Sequence, residues 1–493
     1  MSSRAIALRR HHRVGVAALV REHAWTLALS AAALGWSVVL FLVVRDQFVH
    51  FRLARYDLGN MVQAVWSTAH GRPLEVTSGV TGEQIVRLAN HVDPILVLLA
   101  PLWLIAPTPQ LLIGVQIAAV SLGVFPLYWL GRKRTGSSQV AGFVALAYLA
   151  YPWTAWTAAD AFHPVTLAIP LLLFCVWFLE TDRLVVFGVC AALTAATGEL
   201  MGVCIAGLGL WYAFAKGRRR GGLAIAALGV AWTTIALVVI VPAFSGGDSV
   251  FYGVYESVGG SPTGIVRTAI TDPMAVLRET SESRDLLYVA LLVVPLAGAF
   301  LLAPGLAAVS LPQLFANVLA GTAWTTDPHA HYVAGIVPFL FAAIAIGLGR
   351  LSDPRATRAA ALVLTLTVAA GIAGPWPGGL ARKPSWEGGE AAPEAVAARR
   401  AAVGLIPSRA AVSTTNRMGS YLSARRYVYS VPVIGDADWI AVDTSDPWLT
   451  PAPFTGDFDV TRFQAFLDRI RASSHWRRVF KEGPVEVYRR VDS

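Results

Sequence analysis

Apolar stretches of about twenty residues recur from Trp25 to residue 375, and they constrain this chain more than any other feature. At ~1.5 Å of rise per residue, one such stretch in a helix crosses the ~30 Å hydrocarbon core of a bilayer. Inside lipid the backbone must satisfy itself, so the runs predict a polytopic α-helical membrane protein. With 55% hydrophobic and only 14% charged residues among 493, an ordinary soluble enzyme is excluded.

The cations punctuate the runs. "GRKR" (131–134), "ETDR" (180–183), "KGRRR" (216–220) and "RLSDPRATR" (350–358) each follow an apolar segment, as cytoplasmic loops do. Residues 94–106, "PILVLLAPLWLIA", are too short to cross and are interrupted by Pro101. With that segment lying in the outer interface, every cationic cluster falls on one side. The expectation is about eleven transmembrane helices in a membrane core at 23–375, with a first outer loop at 45–108. A basic tail, 1–22, stays cytoplasmic, and the run from Trp25 to Val44 is an uncleaved first span. The net charge of +9 belongs largely to these loops, and no nucleic-acid partner is expected. Cys175, Cys190 and Cys204 lie in apolar segments as small hydrophobes. The expected location is the plasma membrane.

Past residue 375 the composition turns soluble. Residues 376–390 read as a Gly/Pro-rich linker and 391–493 as a small extracytoplasmic α/β domain. "AAVSTT", "RYVYS" and "DWIAVDT" read as strands and "VTRFQAFLDRIRAS" as an amphipathic helix. "WRRVFKE" and "VEVYRR" read as a closing hairpin.

On this topology the acids and histidines collect at one membrane face. Asp57, His91 and Asp93 lie in the first outer loop, Asp160 and His163 in the next, and Asp327, His329 and His331 in a third. Glu199 sits at an outward turn between apolar runs, where a carboxylate is costly without a partner or a polar cavity. Such a mouth suits group transfer at the lipid–water boundary. A carboxylate takes the proton of an attacking hydroxyl, carboxylates and histidines hold a divalent metal, and arginines such as Arg55 and Arg87 grip a lipid phosphate. The plainer reading is local: Asp57 caps the helix starting at "LGNMVQAVW", and "HVDP" and "DAFHP" set a polar residue before a helix-opening proline.

"YDLGNMVQAVWSTAHGRPL", "NHVDPILVLLAPLWLIAPTPQLLIGVQ", "AYPWTAWTAADAFHPVTLAIPLLLF" and "HAHYVAGIVPFLFAAIAIG" together resemble a bacterial and archaeal family. It is the predicted membrane-protein family domain-of-unknown-function two-zero-seven-nine, and the resemblance covers roughly residues 45–350. That family in turn resembles the C superfamily of polyprenyl-phosphate-sugar glycosyltransferases. The resemblance implies a glycosyltransferase-C-like architecture and an inverting transfer of a sugar from a polyprenyl-phosphate donor to an outer-face acceptor.

It places Asp57 at the first-loop catalytic carboxylate and Asp160 near the second acidic motif, where His163 stands instead of a paired acid. Glu199 is the single acid kept from a more highly charged run. Asp57, Asp160 and Glu199 are thus the catalytic candidates, and His91, Asp93, His163, His331, Arg55 and Arg87 the substrate-binding ones. The implied cofactor is a divalent cation, magnesium or manganese, with Asp57, Asp160 and His163 as candidate ligands. The implied partner is a membrane lipid, a polyprenyl-phosphate sugar. Two other classes stay open at this stage: a transporter using Glu199 and the outer histidines, and a non-enzymatic protein whose outer domain binds a partner.

Overall fold

The computed structural model describes residues 3–247, 249–376, 392–447 and 460–491. The expected linker at 376–390 therefore lies, apart from Trp376, outside the described residues. The first helix, Ser3–Val49, runs without a break past the expected boundary between tail and span.

Among the described residues, four helical stretches are long and apolar enough to cross a membrane by length and composition. They are His23–Val49, Pro109–Thr135, Arg219–Ser245 and His331–Arg350. Other expected spans are cut shorter than the hydropathy implied. Pro152 separates Ser138–Ala150 from Pro152–Ala159, because the residue before a proline is driven to extended backbone. Ala297 and Gly298, both at positive φ, break the 286–302 run into Ser283–Val293 and short 3-10 turns. Pro94–Ile105 is also short, and it exposes Leu98, Leu104 and Ile105, an apolar edge suited to an interface.

Close helix pairing rests on glycine. Helices Met201–Ala215 and Arg219–Ile235 meet through Gly202 on Gly229 and Gly209 on Gly222. A Cβ added at Gly209 would lie 2.4 Å from the Ala226 nitrogen. Such small-residue seams let backbones approach where lipid offers no hydrophobic drive.

Helix Ala168–Glu180 marks the two ends of the bundle. At its C-terminus, buried Glu180 pairs with Lys216 at 3.0 Å and with Arg134, while Asp182 pairs with Arg218 at 2.7 Å. Two cationic loops, far apart in sequence, thus meet around two acids of a third. The opposite end of the same helix follows the "DAFHP" turn. Basic loops and acid–histidine turns occupy opposite ends, as their alternation along the chain requires.

The C-terminal elements fall where the sequence pattern put them. Strands β3 (Val412–Thr414), β4 (Val428–Ser430), β5 (Trp439–Asp443), β6 (Trp476–Glu482) and β7 (Val485–Arg490) form one sheet in the order β4-β3-β5-β7-β6. The β4-β3-β5 side is parallel and the hairpin side antiparallel. Helices Pro393–Leu405, Asn416–Leu422 and Val460–Ala472 accompany it.

This domain is joined to the first loop. Phe51 belongs to its buried core, and Tyr421 stacks on both Phe48 and Phe51 with ring centroids 4.2 and 4.3 Å apart. The small hairpin of β1 (Glu75–Thr77) and β2 (Gln84–Val86) adds Thr77, whose hydroxyl accepts from the Val428 N–H at 3.2 Å.

Candidate functional site

"RYDLG", Arg55–Gly59, forms a single π-helical turn that feeds helix Asn60–Ala69. Such turns often occur at functional sites. Its flanks are fixed from the C-terminal domain. Arg55 is 3% exposed; Nη1 donates to Ser430 Oγ at 2.7 Å, and Nη2 to Thr77 O at 3.1 Å and to Val428 O. The Tyr56 N–H donates to Asn416 Oδ1 at 3.1 Å. At Gly59 an added Cβ would lie 2.5 Å from Ser423 Oγ, so the close approach requires glycine.

Asp57, between these anchors, makes no cap hydrogen bond at the π turn or at the helix after it, and the local capping explanation fails. The expectation that Arg55 binds a lipid phosphate is corrected too. Its guanidinium is buried and already engaged by three acceptors.

Asp160 and His163 occupy the turn between helix Pro152–Ala159 and the 3-10 turn Pro164–Leu167. Pro164 opens that turn, but His163 does not cap it with its side chain. Sequence reasoning missed the residue that shapes this turn, Gln116. Its Nε2 donates to the carbonyls of Ala158 at 3.1 Å and Asp160 at 3.0 Å; its Oε1 accepts from His163 N–H at 2.9 Å and Thr166 Oγ1 at 2.8 Å. The available signal was a lone amide inside the apolar run "LLIGVQIAAV", since an amide buried in such a run needs partners.

His163 Nδ1–H donates to Ala161 O at 2.7 Å, which leaves Nε2 facing Asp57 Oδ1 at 3.6 Å. Burial alone would lower the His163 pKa, but the Asp57 and Asp160 carboxylates outweigh it and hold it above the ordinary imidazole value.

His331 completes the group. Its ring stacks on His163 with centroids 3.6 Å apart and planes 18° apart. Its Nδ1 lies 3.5 Å from Asp160 Oδ2 and is buried without a hydrogen-bond partner. One ligand atom each from Asp160, His163 and His331 lies within 4.8 Å of the others. His331 therefore takes the place expected for Asp57 in a metal-binding set. Two imidazoles beside one carboxylate suit zinc or manganese better than magnesium, which prefers an oxygen shell.

The remaining expected residues form a second group. Arg87 Nε donates to Asp93 at 2.8 and 3.0 Å, and its Nη2 lies 2.7 Å from Asp93 Oδ2, with both side chains buried. Arg87 and Asp93 satisfy each other, which removes both from substrate binding. Glu199 accepts from the Val92 N–H at 3.1 Å and lies 3.3 Å from His91 Nδ1, and the His91 ring meets Phe251 at 4.3 Å. Burial would raise the Glu199 carboxyl, but His91 and the backbone N–H donors hold it down at about 2. Tyr255 lies within electrostatic reach of Glu199, and Tyr332 within reach of Asp57, Asp160 and Tyr255. His329 is turned away to Asp327 at 2.6 Å, edge-on to Trp153 and Trp156.

The family model described as "Predicted membrane protein (DUF2079)" matches residues 47–477. The chain belongs to that family. No curated protein matches. The crystal structure of ArnT from Cupriavidus metallidurans in the apo state is similar at 14% identity and a TM-score of 0.49, covering 93% of this chain and 98% of that one.

Proposed function

We propose that this DUF2079 member is a membrane transferase that moves a sugar from a polyprenyl-phosphate donor to an acceptor hydroxyl, with Asp57 as general base. The observation that carries the reading is the meeting of three distant segments. Asp57 on its braced π turn, Asp160 with His163, and His331 come together at the end of the bundle away from the basic loops. In this orientation the basic end faces the cytoplasm, while the site and the α/β domain face outward.

Asp57 suits the role because it is partly exposed, 29% at the side chain, and engaged only loosely by His163. As the acceptor oxygen bonds to the anomeric carbon, its proton passes to the Asp57 carboxylate. The bond from that carbon to the donor phosphate oxygen breaks on the opposite face. Polyprenyl phosphate leaves with the electron pair, and the configuration inverts. His163, between Asp57 and Asp160, keeps Asp57 aimed. With Arg55 and Arg87 engaged elsewhere, Arg267 and Arg278, exposed on helices Pro262–Thr271 and Pro273–Glu279, are the candidates for contacting the lipid phosphate.

The alternative of a free partner-binding domain loses support because that domain shares its core with Phe51 of the first loop. The test is lipid analysis by mass spectrometry in cells lacking the chain, complemented with wild type or Asp57→Asn. A polyprenyl-phosphate sugar should accumulate without the chain and with Asp57→Asn, and fall with wild type. Identical lipid profiles in all three would overturn the proposal.

A further inference from the structure

Asp160 is 2% exposed. Its Oδ1 accepts from the Ala161 N–H at 2.9 Å, while Oδ2 faces His331 Nδ1 across 3.5 Å. That gap is long for a hydrogen bond, and the imidazole nitrogen is left buried without a hydrogen-bond partner. Ligand atoms each ~2.0–2.1 Å from one ion stand roughly 3–4 Å apart, so the gap has the width of a shared cation.

We propose that Asp160, His163 and His331 bind one zinc ion. His163 is set up for it. Its Nδ1–H is anchored on the Ala161 carbonyl at 2.7 Å, which leaves Nε2 as the nitrogen to bind a metal in place of its proton. Gln116 supplies the supporting layer, fixing the backbone of both Asp160 and His163. The His163–His331 stack holds the second imidazole beside the first. Three protein ligands leave an open coordination position, characteristic of catalytic rather than structural zinc. Asp57, 3.6 Å from His163 Nε2, borders that position.

This inference goes beyond the transferase reading and is tested without it. The full-length chain, purified without a histidine tag in detergent micelles, is loaded with zinc, dialysed and assayed by inductively coupled plasma mass spectrometry. Wild type and His329→Asn should each retain about one zinc per chain, whereas Asp160→Asn and His331→Asn should bind ~10-fold or more weakly. Absence of zinc from loaded wild type, or equal retention in all four proteins, overturns the site. If the variants fail to fold, cobalt-loaded wild type decides. Visible absorption bands of a low-coordinate nitrogen–oxygen site support the proposal, and the spectrum of hydrated cobalt alone refutes it. A zinc site without lipid accumulation in the Asp57→Asn strain would leave the ion standing and remove the transferase.

Discussion

Two groups of carboxylates and imidazoles sit at the same end of the helices, and they treat charge in opposite ways. In the Arg87–Asp93 and His91–Glu199 group, each acid is held by a guanidinium or by an imidazole and a backbone N–H at 2.7–3.3 Å. In the Asp57–Asp160–His163–His331 group, the acid–imidazole gaps are 3.5–3.9 Å, and one imidazole nitrogen is buried without a hydrogen-bond partner. Residue types alone do not separate a bracing group from one with polar atoms left for a ligand. Saturation of the polar atoms does, because a satisfied buried pair has little left to offer a ligand.

The sharpest way to break this contrast is to neutralise one acid from each side. Asp57→Asn should lower the proposed transfer roughly 10²–10⁴-fold while leaving thermal unfolding almost unchanged. Arg87→Ala should do the reverse, leaving Asp93 buried and unpaired at a cost of about 3–5 kcal/mol, visible as loss of monodisperse protein in size-exclusion chromatography. Arg87→Met with Asp93→Leu should recover most of that loss; failure to recover would assign the pair a role beyond packing.

Proton linkage separates the groups more finely. The Glu199 carboxyl is held at about 2, below its reference value of 4.5. Its contribution is therefore fully present above that reference and disappears as pH falls toward about 2. Unfolding midpoints of wild type and Glu199→Gln should differ by on the order of 1–3 kcal/mol at pH 7 and converge near pH 2. A difference independent of pH would mean that Glu199 is not ionised in the fold. The smallest expected effect is Ser430→Ala, which deprives Arg55 of one acceptor and should cost about 1 kcal/mol, read from thermal unfolding.

Much of the architecture was legible in advance. Cationic clusters separated by apolar runs were read as loops on one side, where Glu180 and Asp182 gather two of them, and period-two patterning placed the C-terminal strands. That acids and histidines of separate turns would share one face followed from topology; that Asp57, Asp160, His163 and His331 are the four that meet did not. Nor did the roles of Arg55 and Arg87. An arginine in an outer loop reads as anion-binding until tertiary packing buries it, and nothing local to Arg55 names Ser430 or Val428 as its partners. The helix ends were hard to read for a related reason. Hydropathy sums across Pro152 and Ala297, where the backbone turns and the helix ends.

The brace on the "RYDLG" turn also bears on how the protein is made. Arg55 leaves the ribosome long before Val428 and Ser430, 373 and 375 residues later. Until that late segment arrives, Arg55 lacks its two β4 acceptors and keeps only the Thr77 carbonyl. A chain interrupted before residue 428 would carry Asp57, Asp160, His163 and His331 yet lack the β4 contacts that brace the turn bearing Asp57. Synthesis of the last domain then becomes the step that completes the brace on the first loop.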